Sequence, residues 1–145
     1  MNTPPDPLAR FMKAQERDYS QALSELIAGQ KRSHWIWYVL PQLRGLGRSQ
    51  MAYEYGIVDR LEAAAYLAHP VLGPRLIECV RAILRHSDKS ATEILGGIDA
   101  MKFRSCLTLF AEVAPGEPVF RLALDTFFAS QPDDATLRLL NLPTK

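Results

Sequence analysis

The sequence is poor in the residues that build disulfide frameworks and metal sites. It has two cysteines, Cys79 and Cys106, and both fall in helix-like stretches. Their spacing matches no metal motif, the three histidines lie far apart, and no H-E-x-x-H pattern occurs. We therefore expect no disulfide, no metal and no cofactor, and two free, buried thiols in a reducing cytoplasm.

Long apolar runs and an excess of charge of one sign are also absent. No run approaches the roughly 20 apolar residues that a membrane span needs, and the formal net charge is +1. A nearly neutral chain has no overall field that attracts nucleic acid or an anionic membrane, although Lys31, Arg32, Arg44 and Arg48 could form a local basic patch. The first residues lack the basic and apolar regions of a signal peptide. These absences predict a soluble, cytoplasmic protein that binds neither nucleic acid nor a membrane.

Alternating strand patterns, internal repeats and interdomain linkers are missing too. Apolar residues instead recur every three or four positions between Pro- and Gly-containing turns, which is typical of amphipathic helices. We therefore predict an all-α fold in which residues 1–145 form a single compact domain of about seven to nine helices with short Pro/Gly turns.

Caps and breakers predict where these helices begin and end. The first begins at Asp6 or Pro7 and closes at Gly29. Capping residues predict later starts at Ser49, Asp59 with Glu62, Ser90 with Glu93, and Asp99. The remaining predicted helices span residues 34–40, 49–57, 61–68, a stretch from 73 onward, a short segment ended by 96–97, 101–113 with Met101 packing inward, 119–128 and 134–140.

Aromatic and hydrogen-bonding side chains are concentrated in residues 33–57. Both tryptophans and three of the five tyrosines lie there, together with His34, Gln42, Arg44 and Arg48. Trp, Tyr, His and Arg carry polar groups that need partners when buried, whereas Leu and Ile do not. Burying these polar groups only to fill the core would cost free energy. The composition of the segment therefore favours a functional site.

A glycine turn, G-L-G-R-S, occupies the middle of this segment. Gly45 and Gly47 permit a tight turn and close approach of a ligand, and Ser49 begins a helix whose free N–H groups could bind an anion. Arg44 and Arg48 could add bidentate contacts to phosphate or carboxylate. The spacing fits neither a Walker loop nor a dinucleotide fingerprint. The alternative is a glycine-rich turn with solvated arginines.

The aromatic cluster divides over the faces of a helix. Trp37 lies opposite Trp35, so we expect one indole to enter the core and the other to face a groove. Such a ring could stack a planar ligand such as a nucleobase; the alternative is that both indoles pack between helices and donate to carbonyls. His34 is the candidate for acid–base catalysis, with an orienting carboxylate from elsewhere, such as Asp99 or Glu25, and a structural histidine is its alternative.

A polar stripe lies on the predicted helix over residues 101–113. Asp99, Lys102 and Ser105 recur at three-residue spacing, which is typical of a solvated face but would also suit one wall of a pocket. Lys102 and Ser105 resemble a nucleophile–base pair, yet no elbow or oxyanion motif accompanies them. Gln15 and Tyr19 on the first helix could join the pocket from a third side.

These motifs resemble a family of small bacterial and fungal proteins of unknown function, sometimes labelled calpastatin. The resemblance covers nearly the whole chain, although Ile36 stands where Met is common. It implies a mainly helical domain without an established activity. The calpastatin label lacks physical support, because calpastatin's inhibitory segments are disordered and this chain is too apolar for that. The matching motifs are R-F-x-x-A-Q (10–15), A-L-x-E-L-x-A-G (22–29), K-x-S-H-W-I-W-Y-x-x-P-Q-L-x-G-L-G-x-S (31–49), Y-x-I (55–57), A-Y-L-x-H-P-x-L-G-x-R-L (65–76), D-x-x-K-x-x-S (99–105), T-L-F (108–110) and D-x-x-T-L (133–137).

The leading hypothesis is a pocket for a small anionic or nucleotide-like ligand, which the protein either binds or converts as an enzyme. The aromatic rings would hold the flat part of such a ligand, and the glycine turn with its arginines would hold the charge. The alternative is a non-enzymatic interaction module with an aromatic protein-binding groove or a homodimer seam. The residues expected to line the pocket are Gln15, His34, Trp35, Trp37, Gln42, Arg44, Arg48, Tyr55, Asp99, Lys102 and Ser105.

Overall fold

The computed structural model describes residues 6–141, and nine α-helices account for the regular structure there apart from one bridge. The bridge is an isolated parallel pairing of Leu43 with Ile57. The prediction of an all-α fold with seven to nine helices is therefore confirmed for this part of the chain. The helices are α1 (Ala9–Ala28), α2 (Ile36–Val39), α3 (Gln50–Glu54), α4 (Arg60–Ala68), α5 (Leu72–Leu84), α6 (Ala91–Leu95), α7 (Gly97–Val113), α8 (Pro118–Phe127) and α9 (Asp134–Leu140).

Most of the predicted caps are present. The hydroxyl of Ser49 accepts from Ala52 N at 3.0 Å at the start of α3. Ser90 and Glu93 exchange two hydrogen bonds of 2.9 and 3.0 Å in a full capping box ahead of α6. Gly29 ends α1 with φ of 79°, a left-handed conformation that favours glycine.

Three predicted boundaries are wrong, each for a local reason. Helix α1 begins at Ala9, since Asp6 Oδ1 accepts from Leu8 N at 2.9 Å and closes a turn before the helix. Helix α2 has only four residues, because Trp35 adopts φ of −140° and ψ of 7°. Asp99 is not a cap, because α7 already begins at Gly97 and places Asp99 in its first turn.

Helix α7 is the centre of the fold. It packs against α2, α4, α6, α8 and α9, and residues 105–111 are all buried. A helix that is buried on every side serves as a core element, and Phe103 and Phe110 are fully enclosed there. The first two turns differ: Ile98 and Met101 are 77% and 54% exposed. The prediction that Met101 packs inward is therefore wrong, because Met101 lies on the exposed side of these turns while Ala100 and Phe103 occupy the buried side.

Two further predictions concern the cysteines and the membrane. Cys79 in α5 and Cys106 in α7 are both free and buried, as predicted. Each helix within residues 6–141 is too short or too polar to cross a lipid bilayer.

Candidate functional site

The segment that leads into α2 is held by a buried carboxylate of α1. Glu25 Oε1 accepts from Trp35 Nε1 at 2.9 Å, from Arg32 N at 2.8 Å and from Ser33 N at 3.0 Å, while Oε2 accepts from Ser33 Oγ at 2.6 Å. Burial alone would raise the pKa of Glu25, but these hydrogen bonds together hold it well below its ordinary value. The carboxylate thus fixes Trp35 in the core, where the side chain is 1% exposed.

Gln15 is a second fixing point for α2 and is also buried. Its Nε2 donates to Tyr38 O at 2.7 Å and to Tyr66 Oη at 2.9 Å. Since Gln15 is 1% exposed, its amide holds α2 against α4 inside the core. Gln15 and Trp35 therefore support the site from behind and do not line an open pocket.

Trp37 occupies the opposite side of α2, as the helical spacing predicts. Its side chain is half-buried, and its Nε1 has less than 1 Å² of exposed surface and no hydrogen-bond partner among residues 6–141. The ammonium of Lys102 lies over the indole, 5.0 Å from the ring centroid. A buried polar atom without a partner is uncommon in folded proteins and calls for an explanation.

A small hollow lies beside Trp37 and next to a larger groove. The hollow measures about 10 Å³, which is room for about one water-sized group. Its walls are Ile36, Trp37, Leu40, Gln42, Ala52, Tyr55, Gly56 and Lys102.

The larger depression, which we call the Lys102 groove, runs between the loop over residues 42–47, the first turns of α7 and the start of α9. It measures about 350 Å³, within the size range of small-molecule sites. Gln42 and Lys102 belong to the walls of both the hollow and the groove, so the two depressions are adjacent. Its lining residues are Gln42, Leu46, Gly47, Ile98, Met101, Lys102, Ser105, Asp133 and Ala135.

The polar groups of the Lys102 groove differ in how far they are already engaged. Lys102 has no ion-pair partner within the described chain. Ser105 Oγ donates to Met101 O at 3.2 Å, a bond common for serines inside helices. Asp133 caps α9, where its Oδ2 accepts from Thr136 N at 2.9 Å and from Thr136 Oγ1 at 2.6 Å. Within the described chain, the ammonium of Lys102, the N–H of Trp37 and the side-chain amide of Gln42 therefore have capacity for a ligand.

Five of the eleven sequence-predicted residues gather here: Trp37, Gln42, Tyr55, Lys102 and Ser105 line the hollow, the groove or both.

Four others lie elsewhere. His34 and Arg48 are exposed and line neither depression. Arg44 donates to Tyr53 O at 2.7 Å and stacks on the Tyr53 ring. Asp99 pairs with Lys31 Nζ at 2.7 Å. Helix α3, with five residues, uses Ser49 to satisfy its own first turn.

Sequence reasoning missed the apolar half of the groove. Ile98, Met101, Lys102 and Ser105 are spaced at i, i+3, i+4 and i+7, so they form one face of α7. The start of α7 directly after Gly96 was the available signal, because it places Ile98 in the helix. No group of three His, Cys, Asp or Glu side chains suited to a metal ion occurs within residues 6–141.

Comparisons with known proteins extend over nearly the whole chain. A family model described as "Protein of unknown function (DUF1810)" matches residues 5–140. The crystal structure of the conserved hypothetical protein Rv1873 from Mycobacterium tuberculosis is similar to this structure with a TM-score of 0.93 and 42% sequence identity, over 97% of this chain and 100% of that chain. No curated protein matches the chain significantly.

Proposed function

The chain belongs to the DUF1810 family of proteins of unknown function, as its motifs indicated, and we propose that it binds a small anionic molecule in the Lys102 groove. The proposal concerns binding rather than a reaction. Ser105 Oγ already donates to a backbone carbonyl, and His34 lies outside the groove, so the groove offers no activated nucleophile with a base.

One observation carries the proposal: the buried N–H of Trp37 has no acceptor within residues 6–141. Leaving such a donor unpaired costs about 1–3 kcal/mol. Lys102 places a positive charge over the same indole, 5.0 Å from its centroid. Trp37 and Lys102 both line the hollow, and two donors in one lining favour a ligand that brings a negatively charged acceptor.

The remaining walls suit a small molecule. A groove of about 350 Å³ is large enough for a compact ligand. Leu46, Ile98 and Met101 supply apolar surface, while Gln42 stays at the junction of groove and hollow, where its backbone carbonyl accepts from Ile57 N at 2.9 Å. Such a mixture of apolar walls and a few convergent polar groups is typical of ligand sites.

A thermal-shift screen tests the proposal. The probes are simple carboxylates, inorganic phosphate and mononucleotides, each at neutral pH. A bound ligand raises the melting temperature, and the stabilisation grows with the logarithm of the ligand concentration over its Kd. We expect at least one anion to stabilise the wild type and to lose that effect in Lys102→Met.

The matched control for this screen is Lys13→Met, which removes an equal charge from an exposed position of α1. This variant should respond to anions as the wild type does. A screen without any stabilising anion, or a Lys102→Met variant that responds fully, would refute the proposal.

A second candidate function is a protein-binding surface, which the exposure of Ile98 and Met101 favours. These side chains are 77% and 54% exposed and adjoin on α7, and exposed apolar patches often mark interfaces. Light scattering during gel filtration tests the homodimer form of this candidate. A dimer that Ile98→Asp converts to monomer would support it, and a wild-type monomer at high micromolar concentration would argue against it.

A further inference from the structure

We infer that the ligand of the Lys102 groove is a monocarboxylate with an apolar body, rather than a nucleotide or a free phosphate. The inference rests on the proposed function and specifies its ligand class. The carboxylate head would lie at Trp37 and Lys102, and the apolar body would lie along Ile98, Met101 and Leu46.

The size of the hollow beside Trp37 limits which charged group of a ligand can enter it. About 10 Å³ accommodates one water-sized group. One carboxylate oxygen has that size, and a small rotation of the indole would expose Trp37 Nε1, which has less than 1 Å² of exposed surface, to that oxygen while the second oxygen faces Lys102. A phosphate monoester carries close to two negative charges at neutral pH, and apolar Ile36 and Leu40 in the walls of the hollow make the desolvation of a second charge more costly.

The charges of the Lys102 groove also fit a single negative charge. Lys102 is the basic residue of its lining, and Asp133 stands on the same lining as an acid. Phosphate sites usually combine guanidinium forks or a row of backbone N–H groups. The nearby Arg44 is instead engaged with Tyr53 O at 2.7 Å. A polyanion would thus meet one cation and one repelling carboxylate.

Lys102 already covers one face of the Trp37 ring, which leaves less of the ring for base stacking. Lys102 lies over the ring at 5.0 Å from its centroid, and the side chain is half-buried. The exposed apolar surface lies further along α7, where Ile98 and Met101 present aliphatic rather than aromatic groups. An alkyl or phenyl body suits that surface, since burying it removes apolar area from water.

A matched ligand series tests this inference. The probes are 3-phenylpropanoate, its neutral amide, acetate and adenosine monophosphate, titrated into the ¹⁵N-labelled protein. The reporter is the indole N–H signal of Trp37, assigned by its loss in Trp37→Phe. We expect 3-phenylpropanoate to shift that signal and to bind roughly tenfold or more tightly than the amide, the effect of one charge-assisted hydrogen bond.

Two variants locate the halves of the ligand. Lys102→Met should abolish the preference for the acid over the amide, while Lys13→Met leaves it intact. Ile98→Ser should weaken the binding of 3-phenylpropanoate and leave the binding of acetate unchanged. Because Ile98 is 77% exposed, the variant should fold normally.

The outcomes separate the inference from the proposed function. Equal binding of acid and amide, or tighter binding of adenosine monophosphate, would overturn the ligand class while leaving the groove as a binding site. A Trp37 signal that no anion of the series or of the screen perturbs would overturn both.

Discussion

The indole N–H of Trp35 donates to Glu25 Oε1 at 2.9 Å, and this hydrogen bond lies where neither residue reaches solvent. The same carboxylate also accepts from two backbone N–H groups and one hydroxyl of residues 32–33. Glu25 therefore organises the path of the chain into α2, and through it the position of Trp37.

Substitution of Glu25 should destabilise the fold strongly. Glu25→Ala leaves the N–H of Trp35 without its acceptor inside the core and removes the acceptor of the half-buried Ser33 hydroxyl, and we expect a loss of about 3–5 kcal/mol in the free energy of unfolding. Urea denaturation followed by circular dichroism measures it. Glu16→Ala, at an exposed position of the same helix, should change stability by less than about 0.5 kcal/mol; equal losses in both variants would contradict the assignment.

Glu25 should also make stability depend on pH in the acid range. Its pKa is lower in the folded protein than its ordinary value of 4.5. A lowered folded-state pKa means that the ionised carboxylate contributes stability that is present above that ordinary value and is lost as the pH falls below it. Urea midpoints should fall between pH 5 and pH 2 in the wild type.

Glu25→Gln is the control for this pH dependence, because it lacks the titrating group. Its urea midpoint should fall less steeply over the same range than that of the wild type. The remaining slope would come from other carboxylates, among them Asp18, whose pKa is lowered by the hydrogen bonds from Arg17 and Tyr38. Parallel slopes in the two proteins would exclude Glu25 as the source.

Gly73 should not tolerate a side chain, whereas Gly97 should. A Cβ on Gly73 would collide with the carbonyl oxygen of Leu67, where α4 and α5 meet. Gly73→Ala should therefore lower the free energy of unfolding by about 2–3 kcal/mol. Nothing lies within 4 Å of a Cβ on Gly97, and alanine favours a helix more than glycine does, so Gly97→Ala should be neutral or stabilising by up to about 1 kcal/mol. Thermal denaturation compares the two.

The sequence was sufficient for features that depend on neighbouring residues. Ser49 and the Ser90–Glu93 pair cap helices as predicted, because a cap needs only residues within one turn. Features that depend on distant partners were not predictable. Periodicity could not reveal that Glu25 pairs with Trp35, or that Lys31 takes Asp99 as its partner, since both contacts join separate helices and loops.

The candidate site also combines features that neighbouring residues determine with features that distant contacts determine. The different burial of Trp35 and Trp37 was predicted from helical spacing, although Trp35 itself lies just before α2 in a non-helical conformation. Arg44, by contrast, looked like an anion ligand but reaches Tyr53, and Ile98 lies in a helix beside Met101 because α7 begins at Gly97. Which polar side chain remains free for a ligand depends on tertiary contacts that one sequence does not contain.

The two tryptophans should respond differently to replacement by phenylalanine. Trp35→Phe removes a hydrogen bond to a buried carboxylate and opens space in the core, so a loss of about 2–4 kcal/mol in the free energy of unfolding is expected. Trp37→Phe removes a donor that has no acceptor within residues 6–141. The packing lost with the larger ring is offset because the variant no longer buries an unpaired N–H. The free energy of unfolding should therefore change by no more than about 1 kcal/mol.

The measurement is urea denaturation of both variants, combined with the anion screen on Trp37→Phe. A Trp37 variant that is as stable as the wild type but no longer responds to anions would indicate that this indole is retained for binding and not for folding. A loss of stability as large as that of Trp35→Phe would instead indicate that Trp37 is part of the core, and the argument for a ligand at its N–H would fail.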